Sequence, residues 1–354
     1  MIVLAPRRAM GGINSWATQL ERAWPGDDLT FIDTSPPHRK PSQSASGGGA
    51  FVDLAAGIHR WTKSLVLART TKRSIWATVS PTIGYRVRDV PFIVLARLLG
   101  VRVIVQIHGS HLDGLLGRSP VSQRWARLGL RAAAVVVVLD SATEERLEEL
   151  AGRKISRLPN FMQTRSRLEA PRVHAERLLY VGRVAHDKGS GVLLEIGRLL
   201  RGGERLTVAG PLDPAIEASF ARDAAQLGIH VTGQLAPKEV EDLLRTADVL
   251  VLPSFHEGFP MVVLEAMSVG LPVVASDVGA CREMLVDGPE TAAGVVLPSP
   301  SRTSPQEFAR ATIEILRTGG LSRLYGGQER VDSRYSPSAV ISQMRQLGRA
   351  GGSK

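Results

Sequence analysis

Short apolar runs alternate with helix-like segments along the whole chain, and this alternation limits the fold more than any other feature of the sequence. The runs have the length and composition of buried strands, while the stretches between them have helical periodicity. Strands that alternate with helices form parallel sheets covered by helices on both faces, so the sequence predicts an α/β protein with doubly wound sheets. The strand candidates are residues 2–5, 29–33, 75–79, 101–107 and 134–139, followed by 178–182, 206–209, 230–232, 249–252, 272–275 and 295–297.

The chain of 354 residues is longer than one hydrophobic core usually supports, which predicts two domains. A polar and basic stretch, residues 164–175, separates the last strand signal of the first half from the new strand near Leu178. We therefore expect an N-terminal Rossmann-like domain over residues 1–168 and a C-terminal one over residues 169–335. Residues 336–354 have a helical pattern and follow the second domain.

Positive charge is concentrated in the first half of the chain. Residues 1–168 hold 24 Lys and Arg against 12 Asp and Glu, whereas the remainder holds 20 against 22. Such asymmetry favours a surface that faces an anionic partner, which for a chain of this kind is a phospholipid, a lipid diphosphate or a nucleic acid. The alternative is a set of solvated arginines with no partner.

The remaining bulk features predict a cytoplasmic protein, either free or peripheral at the inner face of a membrane. A single cysteine, Cys281, excludes an intramolecular disulfide and fits a reducing compartment. The longest purely apolar run, residues 132–139, is far shorter than the roughly 20 residues that a membrane span needs.

Two neighbouring segments of the first half bear on membrane contact. Residues 36–50 are rich in Pro, Ser and Gly, which predicts a loop. Residues 51–73 then carry apolar side chains at helical spacing with five Lys and Arg among them. This pattern fits a basic amphipathic helix on a membrane surface, and it fits equally well a helix packed on its own sheet with a charged outer face.

The most specific chemical signal lies in residues 253–272. An apolar run ends at Pro253, a polar turn follows, and a helical segment runs from Pro260 to Gly270. Proline at the start and glycine past the end are typical helix boundaries. The amides of Gly258 and Phe259 then open onto a helix N-terminus, which is a favourable position for a phosphate.

Two carboxylates flank this predicted phosphate site. Glu257 lies in the turn, and Glu265 lies five residues past Pro260, or roughly 7 Å along a helix. Acids beside a phosphate would repel it unless they bind another group. Sugar hydroxyls suit them because a carboxylate accepts two hydroxyls at once. The arrangement predicts a site for a glycosyl group, a diphosphate and a ribose.

The spacing of Glu257 and Glu265 within "HEGFPMVVLEAMSVGLPVVASDVGA" resembles the signature of family 4 of the retaining glycosyltransferases. The resemblance implies the GT-B fold, in which two doubly wound Rossmann-like domains face each other across a cleft and the last helix returns to the N-terminal domain. It also implies that Glu257 contacts the transferred sugar, that Gly258, Phe259 and Pro260 hold sugar and phosphate, and that Glu265 binds the ribose.

Three further positions match this family. Arg183 and Lys188 lie in a glycine-bounded loop after the strand at 178–182, and two cations there suit a leaving diphosphate. Gly12 follows the first strand in a Gly-Gly turn, where the resemblance implies an approach to the donor phosphate. His108 ends the strand at 101–107, where the resemblance implies a contact with the donor sugar.

The resemblance and the basic first half together imply a hexosyltransferase that moves a sugar, with retention, from a nucleotide-diphosphate donor to a lipid-linked or polysaccharide acceptor in cell-envelope or exopolysaccharide synthesis. No Asp-x-Asp motif occurs, so we expect neither a cofactor nor a metal. Two alternatives are a sugar-nucleotide epimerase or phosphorylase on the same fold, and a basic nucleic-acid-binding protein. The second leaves the acid-flanked phosphate site unexplained, so we expect no nucleic-acid partner.

Overall fold

The structure is a computed structural model that describes residues 1–7, 12–35, 47–109, 112–165, 176–288, 290–318 and 320–349. The chain divides into two compact units. Unit 1 comprises residues 1–160 with 337–354, and unit 2 comprises residues 161–336. Of the predicted linker at 164–175, residues 166–175 lie outside the described part of the chain.

Unit 1 is built on a six-stranded parallel sheet with the strand order β2-β1-β3-β4-β5-β6. Because β1 has β2 on one side and β3 on the other, the direction of winding reverses between β1 and β3. The strands are β1 (Ile2–Ala5), β2 (Thr30–Asp33), β3 (Ile75–Val79), β4 (Val103–Ile107), β5 (Val135–Val138) and β6 (Ser156–Arg157). The helices are α1 (Gly12–Ala23), α2 (Gly47–Thr71), α3 (Val90–Leu98), α4 (Leu112–Leu116), α5 (Pro120–Ala132), α6 (Ser141–Ala151) and, from the end of the chain, α14 (Pro337–Arg349).

Unit 2 has a second six-stranded parallel sheet, with the order β12-β11-β10-β7-β8-β9. Here the winding reverses between β7 and β10. The strands are β7 (Arg177–Val181), β8 (Arg205–Ala209), β9 (His230–Gly233), β10 (Val249–Leu252), β11 (Val273–Ser276) and β12 (Gly294–Leu297). The helices are α7 (Ser190–Leu199), α8 (Glu217–Gln226), α9 (Pro237–Thr246), α10 (Met261–Ser268), α11 (Cys281–Leu285), α12 (Pro305–Arg317) and α13 (Gly327–Arg334).

The central strands are apolar on both faces because helices cover both sides of each sheet. All residues of β1, β3, β4, β10 and β11 are buried. A strand with two covered faces has a continuous apolar run rather than an alternating one, which is why the sequence marks these strands clearly. Each of the eleven predicted strands is present, with ends that shift by at most two residues.

Helix α2 corrects one prediction and resolves another. The predicted loop at 36–50 is wrong for residues 47–50, which form the first turn of α2, while residues 36–46 lie outside the described part. In the second half of α2, Trp61, Leu65 and Ala68 are buried in the core of unit 1. Trp61 packs against Phe92 of α3 with ring centroids 3.8 Å apart. This half of α2 therefore packs on its own sheet, with its charged residues outward.

Arg330 of α13 ties the segment after α11 into unit 2. The side chain is fully buried, and its guanidinium donates to the carbonyl oxygens of Val286, Asp287, Glu290 and Thr291 at 2.8 to 3.0 Å. The same helix packs against α10, where the α-carbon of Met267 lies 3.0 Å from where a β-carbon at Gly327 would be. Arg330 thus holds together the elements behind α10.

We expect Arg330→Met to destabilise unit 2. The substitution leaves several buried carbonyl groups without a donor, at a cost of roughly 3 kcal/mol or more. Calorimetry should show a transition of unit 2 that is lower by several degrees. The matched control is Arg222→Met, at an exposed arginine of α8 that pairs with Asp223, which should leave the Tm almost unchanged. Equal Tm values for the two variants would contradict this role of Arg330.

Candidate active site

The predicted cations and the predicted sugar-binding acid of unit 2 follow β7 and β10, the two adjacent strands between which the winding reverses. In doubly wound sheets, ligands bind outside the carboxyl ends of the strands at this point. The loop after β7 carries Arg183 and Lys188, and the loop after β10 carries Glu257. Parallel pairing of the two strands therefore brings the two loops to one place.

Lys188 and Glu257 form the central contact of the site. The Lys188 Nζ lies 2.8 Å from Glu257 Oε1 and also donates to the carbonyl oxygen of His256 at 3.1 Å. The hydroxyl of Ser254, which is fully buried, donates to the same Oε1 at 2.7 Å. Both charged side chains are mostly buried, with 24% and 13% of their surface exposed. Poor screening by water strengthens this pair relative to one at the surface.

Arg183 lies at the outer part of the same loop. Its guanidinium donates to both oxygens of Asp187 at 3.0 Å and to Asp213 at 2.8 Å. The hydroxyl of Tyr180 donates to the Arg183 carbonyl oxygen at 2.8 Å and thereby fixes the backbone there. Arg183 is about half exposed, so these pairs are weaker than the Lys188 pair.

Two glycines allow the loops to approach each other closely. A β-carbon at Gly189 would overlap the carbonyl oxygen of Pro253, and one at Gly279 would overlap the carbonyl oxygens of Glu257 and Gly258. Both glycines have positive φ, 82° and 53°. The loops are also joined by a backbone hydrogen bond from Phe255 to Asp187 at 3.0 Å. Any residue with a β-carbon at position 189 or 279 would therefore push the two loops apart and move Glu257 away from Lys188.

Helix α10 begins one residue later than predicted. Pro260 is the residue that caps the helix rather than its first helical residue, and Met261 starts it. At the other end, Gly270 has the left-handed φ of 69° expected of a glycine that stops a helix.

The turn in front of α10 is held by packing and by a backbone hydrogen bond. Phe259 is buried and packs against the ring of Tyr335, with ring centroids 5.8 Å apart. Gly258 accepts a hydrogen bond from the Ala280 amide at 2.8 Å, which holds the turn in front of α10.

Glu265 lies on α10 and is electrostatically unlike Glu257. Burial raises the pKa of Glu265 to about 7, and the charge of Arg165 lowers it in part. Within the described residues, its carboxyl group has no hydrogen-bond donor. A carboxyl group held near neutral pKa without a donor gains from hydroxyl ligands, because hydrogen bonds to the charged form stabilise it.

Unit 1 positions the other two predicted residues at the carboxyl edge of its sheet. His108 follows β4, and its amide donates to the Val79 carbonyl oxygen at 2.9 Å. Its ring packs edge-on against Trp16, with centroids 5.4 Å apart. Burial lowers the pKa of His108 to about 3, so the ring is neutral at physiological pH, and Nε2 has no partner within the described part of the chain. Gly12 is the exposed first residue of α1, whereas Met10 and Gly11 of the predicted turn lie outside the described part.

Sequence reasoning missed three groups of residues in this site. Ser254 lies two residues after the end of β10 and three residues before Glu257, in the same loop, and no spacing rule marks it in advance. Asp187 and Asp213, the partners of Arg183, lie in loops that follow β7 and β8 at the same sheet edge. Gly279 lies inside the quoted motif, but only the close approach seen in the structure explains it.

The described residues contain neither a candidate metal site nor a helix that could span a membrane. No group of three or more His, Cys, Asp and Glu side chains in the described ranges is arranged to hold a metal ion. None of the helices in the same ranges combines the length and apolar character needed to cross a bilayer.

Comparison with known proteins shows that residues 175–318, most of unit 2, match the family model described as "Glycosyl transferases group 1". The chain is 30% identical over 249 residues to the alpha-D-kanosaminyltransferase of Streptomyces kanamyceticus, covering 63% of each protein. It is 28% identical over 194 residues to the putative teichuronic acid biosynthesis glycosyltransferase TuaC of Bacillus subtilis, covering 51% of this chain and 48% of that protein. The chain thus matches less than two thirds of the length of either relative.

Solved structures match nearly the whole chain. The sucrose-phosphate synthase of Thermosynechococcus elongatus superposes with a TM-score of 0.71 at 20% identity, covering 98% of both chains. The Anabaena protein HepE, solved in complex with UDP-glucose, superposes with a TM-score of 0.68 at 15% identity and covers 98% of both chains. At this level of identity the likeness shows the fold, which is GT-B, as predicted.

We expect Gly279→Ala to destabilise unit 2 by about 1–3 kcal/mol, since the new methyl group overlaps two carbonyl oxygens and the backbone has positive φ. Gly202→Ala is the matched control, because Gly202 has a similar φ of 62° but no atom within 4 Å of the added carbon. The difference in Tm between the two variants isolates the steric contact. If Gly279→Ala and Gly202→Ala lower the Tm equally, the close packing of Gly279 on the turn does not contribute to stability.

We also expect Glu265→Gln to stabilise the protein increasingly as pH rises. A folded-state pKa of about 7 against an ordinary 4.5 means that ionising Glu265 costs stability in the folded protein. The cost is absent below the ordinary pKa of 4.5, develops between that pH and about 7, and is constant at higher pH, at roughly 3 kcal/mol at most.

The measurement is the Tm difference between Glu265→Gln and the wild type, followed from mildly acidic to mildly alkaline pH. Glu217→Gln, at an exposed position of α8, serves as the control for changes in net charge. The difference for Glu265→Gln should grow from mildly acidic pH to about pH 7 and then level off at alkaline pH. A difference that does not change with pH would show that Glu265 is not in a desolvated environment.

Proposed function

We propose that this chain is a retaining, metal-independent glycosyltransferase that takes a sugar from a nucleoside-diphosphate sugar. The observation that carries the proposal is the Lys188–Glu257 contact. It lies outside the carboxyl ends of β7 and β10, where the winding of unit 2 reverses, and next to the N-terminus of α10. The family match of residues 175–318 and the names of both relatives support it. The HepE structures, which contain UDP or UDP-glucose, support a nucleotide sugar as the donor.

The cations of the site bind the diphosphate of the donor. Lys188 and Arg183 bind the diphosphate, which competes with the carboxylates that they contact. Amides at Gly258 and Phe259, together with the positive end of α10, add neutral donors for the same phosphates. These groups stabilise the negative charge that grows on the diphosphate as the glycosidic bond breaks, and such preorganised electrostatic stabilisation is often the largest contribution to catalysis.

The acids and His108 orient the sugar nucleotide. Glu257, once Lys188 binds phosphate, accepts hydroxyls of the transferred sugar, while Glu265 accepts the ribose hydroxyls. Because the charged form of Glu265 makes these bonds, donor affinity rises as pH passes about 7. The neutral ring of His108 offers Nε2 to a sugar hydroxyl, and Gly12 lets the first turn of α1 approach the donor phosphate.

The proposed reaction occurs on one face of the sugar. The bond from the anomeric carbon to the diphosphate oxygen breaks, and the acceptor oxygen bonds to the same carbon from the same side. The acceptor proton passes to an oxygen of the leaving diphosphate. No protein nucleophile and no metal ion takes part, because Lys188, Arg183 and the amides offset the charge of the leaving group.

The acceptor that we propose is a lipid-linked or polysaccharide hydroxyl, as in cell-envelope or exopolysaccharide synthesis, with the protein peripheral to the cytoplasmic face of a membrane. Large apolar side chains are exposed on four elements of unit 1 that pack on one another: α2, the π-helical turn Tyr85–Asp89, α3 and α5. Val66, Leu98 and Val121 are 62%, 78% and 76% exposed. With the excess positive charge of the first half, such a surface suits contact with anionic lipid.

We expect Lys188→Met to lower kcat/KM for sugar transfer by roughly 10²–10³-fold and Glu257→Gln to lower it by a similar factor. Lys238→Met is the control, because Lys238 is an exposed lysine of unit 2 that pairs with Asp242. It should change kcat/KM by no more than about twofold.

The assay uses purified protein with UDP-, GDP-, ADP- or TDP-sugars, chosen by thermal shift, and with lipid-linked, polysaccharide or small hydroxyl acceptors. Transfer should persist in EDTA. Full activity of both site variants would refute the assigned site. Epimerisation, or sugar phosphate formation without transfer to an acceptor, would identify a different reaction on the same fold.

A further inference from the structure

A basic cavity lies at the amino edge of the sheet in unit 1, opposite the edge that carries His108. It opens where β3 and β4 begin, directly after Ser74 and Arg102, and has a volume of about 750 Å³. Five cations line it: Arg69, Lys72, Arg73, Arg102 and Arg349. No acidic residue is among the lining residues.

Three of these guanidiniums are held by neutral oxygens instead of carboxylates. Arg73 donates to the Met1 carbonyl oxygen at 2.8 Å and to the Thr30 hydroxyl at 2.9 Å. Arg102 donates to the Leu347 carbonyl oxygen at 3.0 Å, and Arg69 donates to the carbonyl oxygen of Leu99. These bonds fix the guanidiniums without neutralising them.

Within the described part of the chain, none of the five cations has a carboxylate at ion-pair distance. Arg73 also donates to the backbone carbonyl oxygen of Asp28, but the carboxylate of Asp28 instead contacts Arg345 at 3.4 Å and Trp24 Nε1 at 2.7 Å. Burial lowers the pKa of Arg102, and the Nε of Arg102 is buried without a described partner. An anion in the cavity would offset the repulsion among these charges.

Lys72 has a backbone conformation that a lysine rarely adopts. Its φ of 53° is left-handed, and it occupies the position after the end of α2 where glycine is usual. The amide of Arg73 closes this turn by donating to Ala68 at 3.0 Å. A lysine costs roughly 1 kcal/mol more than glycine in this conformation, so the backbone gives no reason for a side chain here. Strained residues of this kind cluster at ligand-binding sites.

We propose that this cavity is a second anion site, which binds a phosphate group separately from the donor site of unit 2. A phosphate has several acceptor oxygens, so it can contact Lys72, Arg349 and the fixed guanidiniums together. The group is either a free phosphate or diphosphate or the headgroup of an anionic lipid, which share this chemistry. The site uses residues of unit 1 alone and does not depend on the proposed transferase activity.

The test is isothermal titration calorimetry with inorganic pyrophosphate. The variant Lys72→Gln/Arg349→Gln removes the two cations of the cavity that have no hydrogen bond in the described structure. Arg22→Gln/Lys154→Gln removes the same charge from two exposed positions of unit 1 outside the cavity. We expect the site variant to lose one pyrophosphate per chain, with affinity roughly tenfold weaker or more, whereas the control keeps wild-type binding.

Stoichiometry separates this proposal from the donor site. If both sites exist, the wild type binds two pyrophosphates and the site variant binds one. If the proposed donor site is wrong, the wild type binds one pyrophosphate and the site variant binds none. Unchanged stoichiometry and affinity in the site variant would overturn the proposal, as would an equal loss in the control.

Two further measurements complete the test. Lys72→Gly should weaken pyrophosphate binding without lowering the Tm, because glycine adopts the left-handed backbone without strain. An unchanged Tm excludes misfolding as the cause of weaker binding.

Co-sedimentation with vesicles of phosphatidylcholine alone or mixed with phosphatidylglycerol distinguishes the sources of phosphate. Loss of binding to the mixed vesicles in the site variant alone indicates a lipid headgroup. Loss of pyrophosphate binding with unchanged sedimentation indicates a soluble phosphate.

Discussion

The adjacency of β7 and β10 is the constraint on which the candidate site depends. The two strands are far apart in sequence but pair in parallel at the point where unit 2 changes its winding direction, so the loops at their carboxyl ends meet. Lys188 and Glu257 are 69 residues apart in sequence and 2.8 Å apart in space for this reason. Glycines at 189 and 279 permit the approach, and the buried hydroxyl of Ser254 orients the carboxylate.

The electrostatics of the site follow from this geometry. Lys188 and Arg183 contact carboxylates that a diphosphate can replace, so the loop presents cations whose positions are already fixed. Glu257 and Glu265 differ because one has a close cation and a hydroxyl donor, while the other is desolvated on α10. The proposed binding of a diphosphate and of sugar hydroxyls relies on this difference between the two acids.

The sequence was sufficient to predict the fold because buried parallel strands are continuous apolar runs and helices have marked ends. Every predicted strand was confirmed, and so was the GT-B fold, which was predicted from the resemblance of the residues around Glu257 and Glu265 and not from the strand pattern. The first turn of α2 was mispredicted because local composition at residues 47–50 favours a loop, whereas the helix that follows extends through it. The Arg183–Asp213 ion pair and the packing of Gly279 could not be predicted, since they depend on distances between loops. The roles assigned to all the predicted site residues, those of Glu257, Lys188 and Arg183 as much as those of His108, Gly12 and Glu265, remain predictions.

The most direct test of the account is a crystal structure of the protein with a bound nucleoside diphosphate sugar. The account predicts that the Lys188 ammonium leaves Glu257 for the diphosphate, that Glu257 contacts a sugar hydroxyl, and that Glu265 accepts both ribose hydroxyls. A nucleotide bound away from the loops after β7 and β10, or a Lys188–Glu257 pair unchanged beside the bound donor, would contradict it.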